Sequence, residues 1–167
     1  MEIKIFQYGP SDFEETRVIQ REFLSFLLGE LNKLPWFNLD VEHEVQFTMK
    51  NLDKFAEPDG RLFLVETDGQ IAGTISLRKI RRNCGEIKRM YVRPQFRGKK
   101  IGTLMIDEVI KVSKNNGYSD LYLDTAQFMS SAVSLYKKFG FHETEPYPES
   151  VNPKGYWKKW IFMTKKL

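Results

Sequence analysis

Residues Tyr91–Ile110 read YVRPQFRGKKIGTLMIDEVI. Four cations (Arg93, Arg97, Lys99 and Lys100) crowd around Gly98 and Gly102 where a helical stripe of Ile101, Leu104, Met105 and Val109 begins. A helix dipole is positive at that end, so a solvated helix start prefers acidic residues. Cations there are locally unfavourable unless an anion is to sit among them. The segment follows a strand that stops at Pro94, which cannot extend a ladder. The first backbone N–H groups of a helix have no intrahelical partner. Gly98 and Gly102 carry no side chain to hold a phosphate away from them. One phosphate would occupy such a nest, and a pyrophosphate would use it better. The spacing matches neither the P-loop nor the dinucleotide-binding fingerprint. On spacing alone, a soluble basic loop with a glycine turn stays open beside the anion site.

Working outward, "RLFLVETDGQIAGTISLRKI" is a hairpin signal, two β-rich runs around the turn pair Asp68-Gly69. Ile71, Gly73, Ile75 and Leu77 alternate with smaller or polar residues, which predicts one buried face. "CGEIKRMYV" continues as a strand. Toward the N-terminus, Ile3–Tyr8 reads as a strand. "SDFE" at Ser11–Glu14 has the pattern of a capping box, with Ser11 as cap and Glu14 reaching back. Ile19, Phe23, Phe26, Leu27 and Leu31 follow at helical spacing, and a second helix is expected over much of Val41–Leu52. Toward the C-terminus, the basic-loop helix should end near Asn116-Gly117. "YSDLYLDT" is a short strand. Ser130 or Ser131 should cap a helix closed by Gly140. "FGFHETEPY" and "YWKKWIFMTKKL" are the last two strands. Hairpins come first and helices alternate with strands later, which predicts an α/β (α+β) mixed sheet covered on both faces.

The chain has 167 residues, 41% hydrophobic and 14% aromatic, which suits a single domain over 1–167 rather than disorder. A net charge of +4 is too mild to point to nucleic acid or membrane. One cysteine, Cys84, excludes an internal disulfide and a metal-type cysteine spacing, so no metal is expected and a cytoplasmic, reducing compartment fits. The start lacks an apolar leader segment, and no run approaches a membrane span.

"VRPQFRGKKIG" resembles the acetyl-CoA-binding motif of the GNAT (Gcn5-related) N-acetyltransferases, Gln/Arg-x-x-Gly-x-Gly/Ala. Arg97 takes its first position and Gly102 its last. Lys100 stands where the middle glycine is expected, so its backbone would make the turn with negative φ. "AVSLYKKFGF" resembles the family's A-x-x-LY-x-x-x-GF segment, and "EIKRMYVRP" its fourth strand. "PYPESVNPKGYWKKWIFMTKKL" resembles the ending of one GNAT subgroup. The likeness runs over Arg61–Leu167, with the N-terminal helices where the family places its acceptor-binding helices.

The resemblance implies a mostly antiparallel sheet of about seven strands, splayed between strands 4 and 5, with helices on both faces. It implies acetyl-CoA as co-substrate and no metal. Met90, Tyr91 and Val92 would pair their backbone with the pantetheine amides, as an added strand would. The pyrophosphate would rest on the amides of Arg97, Gly98, Lys99, Lys100, Ile101, Gly102 and Thr103. Tyr136 would serve the departing thiolate. Glu86 matches the acid that is a general base in the histone-acetylating branch, against the plainer reading of a surface glutamate paired with Arg78 or Lys88. The oxyanion donor would be an N–H near Met90 or Tyr91, beside a bulge. Met129 replaces an asparagine common in relatives.

The remaining singled-out residues read more plainly. His43 and His142 are expected in solvent, and Cys84 has no histidine near it in sequence. Trp36, Phe37, Tyr147, Tyr156 and Trp157 suit either an acceptor pocket or packing. The acceptor implied is a small-molecule primary amine, with a protein or peptide amine as the alternative. "RKIRRN" at Arg78–Asn83 supports a third class, a coenzyme-A-binding or nucleic-acid-associated module without turnover. A homodimer is compatible with all three.

Overall fold

The computed structural model describes residues 2–152 and 154–167, so Pro153 of the NP pair lies outside the described residues. The elements are β1 (Ile3–Gln7), α1 (Phe13–Leu31), α2 (Val41–Lys50), β2 (Arg61–Thr67), β3 (Gln70–Arg81), β4 (Cys84–Val92), α3 (Ile101–Asn115), β5 (Asp120–Ala126), α4 (Ser130–Lys138), β6 (His142–Glu143) and β7 (Trp160–Lys166). They build one seven-stranded sheet in the order β1-β2-β3-β4-β5-β7-β6. The β4–β5 pair is parallel and the others are antiparallel.

Local chemistry explains most boundaries. Thr67 pairs with Gln70 across Asp68 and Gly69, whose φ values of 51° and 74° are those a two-residue hairpin needs. Asp40 caps α2 by accepting from the His43 N–H at 2.7 Å. Gly117 and Gly140, both at positive φ, end α3 and α4. Other expectations are corrected. Ser11 and Glu14 do not form a capping box: Asp12 accepts from the Gly9 N–H at 2.8 Å, and Glu14 pairs with Arg17. A short turn at Pro10–Asp12 takes up Ser11 before α1 can start. The residue before α4 is Met129, and neither serine makes a capping bond. The last strand begins only at Trp160, because Lys154–Lys159 form a 3-10 turn.

α3 and α4 pack on one face of the sheet around Ile75, Leu77, Ile87, Leu121, Leu123 and Met163. From α3, Ile101, Met105, Ile106 and Val109 are at most 1% exposed. Each such side chain contributes about 1.5–3 kcal/mol through burial. α1 covers the other face with Ile19, Phe23 and Leu27 against Leu64 and Tyr91, and α2 packs on α1. β3 is therefore buried on both faces from Ala72 to Leu77, not on one.

Two irregularities in β4 create the opening that matters. β4 pairs with β5 only through Cys84↔Asp120 to Ile87↔Leu123, whereas β5 stays paired with β7 along its whole length. At the same point Arg89 takes φ 53°, and the β3–β4 register shifts between Thr74 and Ser76. The extra residue bends β4 away from β5. The sheet splits beyond Ile87, and among the described residues the β5-facing backbone of Lys88–Val92 has no strand partner.

Candidate active site

The loop after β4 ends at the N-terminus of α3. Gly98 has φ 77° and Lys100 φ 62°, so two left-handed residues alternate with ordinary ones. That alternation turns successive N–H groups to one side. Among the described residues, the amides of Gly98–Thr103 have no backbone acceptor, and the first bond of α3 runs from the Leu104 N–H to the Lys100 carbonyl at 3.1 Å. The first turn of α3 contains no acid to compete for its positive end. Lys100 thus does not keep the negative φ expected of it. The turn requires the left-handed conformation, which an L-residue adopts at a cost of about 1–2 kcal/mol. A Cβ on Gly102 would lie 2.9 Å from Leu135 and 3.1 Å from Met90, so this glycine lets α3 approach α4 and β4 closely. Arg97 donates to the Val92 carbonyl at 3.1 Å and lies over the Phe26 ring, and Lys99 lies over Phe96.

The split between β4 and β5 leads into a cavity of about 520 Å³. Its walls come from α1, from the segment after it (Trp36 to Leu39), from α2 and from the sheet, with Val151, Asn152, Tyr156 and Trp160 closing one side. Met90, Thr125, Met129 and Tyr136 line it where the strands part. Tyr136 is 5% exposed, and its hydroxyl donates to the Met90 sulfur at 3.4 Å. A thioether is a weak acceptor. Burial raises the Tyr136 phenol above its ordinary pKa, and the charge of Asp124 raises it further. The hydroxyl therefore stays protonated and holds a proton that a better acceptor could take. Met129 offers sulfur to the cavity, and Thr125 donates to it at 3.6 Å.

Behind the cavity lies a buried polar network. Glu86 is fully buried, so the reading as a surface glutamate is corrected. It does pair with both expected cations. Arg78 donates to one oxygen, and Lys88 stands 3.6 Å from the other, which accepts from the Tyr147 hydroxyl at 2.6 Å. Glu86 does not line the cavity, but Asp124 and Lys88 do, paired at 2.8 Å. Burial alone would raise the Asp124 pKa; Lys88, with hydrogen bonds from Lys88, Ser150 and Asn152, brings it below its ordinary value. Asp124 carries a sequence signal of its own, a carboxylate inside the apolar strand "LYLDTA". Arg89 also lines the cavity, placed there by the bulge.

The aromatics divide. Trp36, Phe37 and Tyr156 line the cavity, whereas Tyr147 packs between Tyr122 and Phe162, and Trp157 packs on Phe162. His43 and His142 are exposed, as expected, and Cys84 is buried. In "RKIRRN", Arg78 is held by Glu86 and Arg81 by both oxygens of Glu149 at 2.7 Å. Arg78 and Arg81 are thus paired within the chain, and Lys79 stands 3.1 Å from Asp59. Among the described residues no cluster of three metal-ligating side chains occurs, and no helix is long and apolar enough to cross a membrane.

Residues 27–141 match a family model described as the acetyltransferase (GNAT) family. The chain belongs to the GNAT family. An uncharacterized N-acetyltransferase of Schizosaccharomyces pombe is 34% identical over 146 residues, 86% of this chain and 85% of that protein. A GNAT acetyltransferase of Staphylococcus aureus has a TM-score of 0.79 at 26% identity, covering 99% of both chains. The PaiA N-acetyltransferase of Thermoplasma acidophilum, solved in complex with coenzyme A, covers 100% of both chains with a TM-score of 0.78. At 22% identity that likeness is one of fold. As a GNAT protein the chain is an acetyltransferase of a family that uses acetyl-CoA. The expected mixed sheet, split between the fourth and fifth strands, is the GNAT architecture.

Proposed function

We propose that this GNAT enzyme, a single domain over residues 1–167, moves the acetyl group of acetyl-CoA directly to the primary amine of a small molecule. The observation that carries this reading is the walled, aromatic cavity joined to the β4–β5 split, with the Tyr136 hydroxyl at the junction. A protein or peptide acceptor would call for an open groove along the first helices, and here α1 and α2 wall the cavity instead. The residues present fit acetyl-CoA. The free amides of Gly98–Thr103, with Arg97, Lys99 and Lys100 around them, suit a pyrophosphate. The backbone groups of Met90, Tyr91 and Val92 that face away from β3, released from β5, suit the pantetheine amides.

When bound, acetyl-CoA supplies an activated acyl carbon and a thiolate leaving group. The chain's own part is to hold the amine beside that carbon and exclude water from it. A backbone N–H at Met90 or Tyr91, beside the bulge, faces developing oxyanion charge. Tyr136 donates a hydrogen bond to the sulfur as charge builds there. Because its pKa is raised, sharing the proton is what it offers, and full transfer to a thiolate runs uphill. Glu86 takes an anchoring role in this reading, since both of its oxygens are engaged outside the cavity. The amine then gives its proton to water. Cys84, buried and unpaired, suits a cytoplasmic location, and no metal takes part.

The test combines binding and turnover. Acetyl-CoA at about 100 times its Kd should stabilise the fold by about 2.7 kcal/mol and raise Tm by about 5–11 °C. Lys99→Glu, at an exposed position, should weaken this about tenfold, and more so at low salt. An amine panel should then show coenzyme A release. If millimolar acetyl-CoA leaves the melting curve unmoved, the proposal is wrong.

A further inference from the structure

The bulge that splits the sheet also sets Lys88 and Arg89 side by side on the α1–α2 side of β4, and both line the cavity. Their electrostatic situations differ. Lys88 is matched by Asp124 at 2.8 Å and by Glu86 at 3.6 Å. The guanidinium of Arg89 lies 4.6 Å over the Phe55 ring, and its Nη1 is sealed from solvent with no hydrogen-bond partner among the described residues. Burial, then the charge of Arg78, lowers the Arg89 pKa to about 10, while Glu44 and Glu86 act in the opposite direction. The group is still charged at neutral pH. An unpaired donor on a charged group in a dry site is costly. The chain also spends a left-handed, non-glycine residue to place it there.

With its guanidinium over Phe55, Arg89 keeps an unpartnered Nη1 donor, among the described residues, beside the groups that line the cavity, and a guanidinium fits a carboxylate through two parallel N–H donors. The site is distinct from the anion nest at α3, because α3 packs on the other face of the sheet. The pyrophosphate therefore has no need of Arg89, and the unmatched cation faces the acceptor. The same cavity has large apolar residues in its walls, among them Leu27, Phe37, Phe47 and Trp160, with Glu44 also lining it.

Resting on the acetyltransferase reading above, we infer that Arg89 binds a carboxylate of the acceptor, so that the substrate is an amino acid with a bulky apolar side chain. The amine nitrogen bonds to the acyl carbon as the carbon–sulfur bond breaks. The amine loses one proton, coenzyme A leaves as the thiol, and the product is an N-acetylated amino acid.

The experiment compares phenylalanine, leucine, methionine and tryptophan with phenethylamine, phenylalanine amide and alanine. Bulky apolar amino acids should exceed phenethylamine and the amide in kcat/KM by about 10- to 150-fold, the range for a hydrogen bond to a charged group. Alanine should be poor. Arg89→Asn, a residue that tolerates positive φ, should collapse the ratio of phenylalanine to phenethylamine toward one, and Arg89→Lys should leave it intermediate. Phenethylamine turned over as well as phenylalanine overturns the inference, as does an unchanged ratio in Arg89→Asn. If acetyl-CoA raises Tm and neutral amines are acetylated while no carboxylate-bearing amine is, this inference fails and the acetyltransferase reading stands. If acetyl-CoA does not bind at all, both fall.

Discussion

Replacing Tyr136 by Phe separates catalysis from packing. The ring is 5% exposed, and it packs edge-on to Phe141 with centroids 5.9 Å apart. Phenylalanine keeps those contacts. The one bond lost goes to a neutral thioether at 3.4 Å. Its loss should cost less than about 1 kcal/mol, or less than about 4 °C in Tm for a chain of this size. In the reaction the acceptor becomes an anionic sulfur, and a hydrogen bond to a charged group contributes about 1.5–3 kcal/mol. That predicts a fall in kcat of about 10- to 150-fold. Acetyl-CoA affinity should hardly change, because the ground-state sulfur is neutral and gains little from the donor. Initial rates of coenzyme A release, with titration of acetyl-CoA by thermal shift, measure both quantities. The deficit should shrink with a thioester whose thiol is more acidic. Wild-type rates should show no loss from Tyr136 ionisation up to about pH 10, since burial holds the phenol above its ordinary value. A folded Tyr136→Phe protein with full kcat would refute the hydrogen-bond role and leave Tyr136 as packing.

Two further substitutions probe features on either side of the cavity. Glu86→Gln removes one partner of a buried pair, so a loss of about 3–5 kcal/mol and a Tm lower by about 6–20 °C are expected in a thermal melt. A drop of only a degree or two, together with an altered acidic limb of the pH–rate profile, would instead make Glu86 the base. Lys100→Gly relieves the left-handed strain and adds back some chain entropy, so Tm should rise by about 1–3 °C with acetyl-CoA binding retained. A lower Tm would contradict the φ of 62° at Lys100.

The sequence by itself determined the order of elements, the Asp68-Gly69 hairpin, the helix stops at Gly117 and Gly140, and the glycine-bearing basic turn before α3. Those features rest on periodicity, on missing N–H partners and on the few residues that accept positive φ, all of which are local. Local signals failed where competing local partners existed. Asp12 displaced Ser11 at the start of α1, and the turn before Trp160 delayed β7. The candidate site was half legible. The basic loop stands out in the sequence and Tyr136 only through the family resemblance, while Glu86 stays open there between a general base and a surface acid, because its burial depends on Tyr147, 61 positions away. Asp124 joined the site through Lys88 and Ser150, residues 36 and 26 positions away. The bulge at Arg89 has no glycine to announce it. Pairing of β4 with β3 on one side and release from β5 on the other decide that Lys88 and Arg89 share a face. A shift of register by one residue reverses every side chain beyond it, and that shift is set by contacts across the sheet.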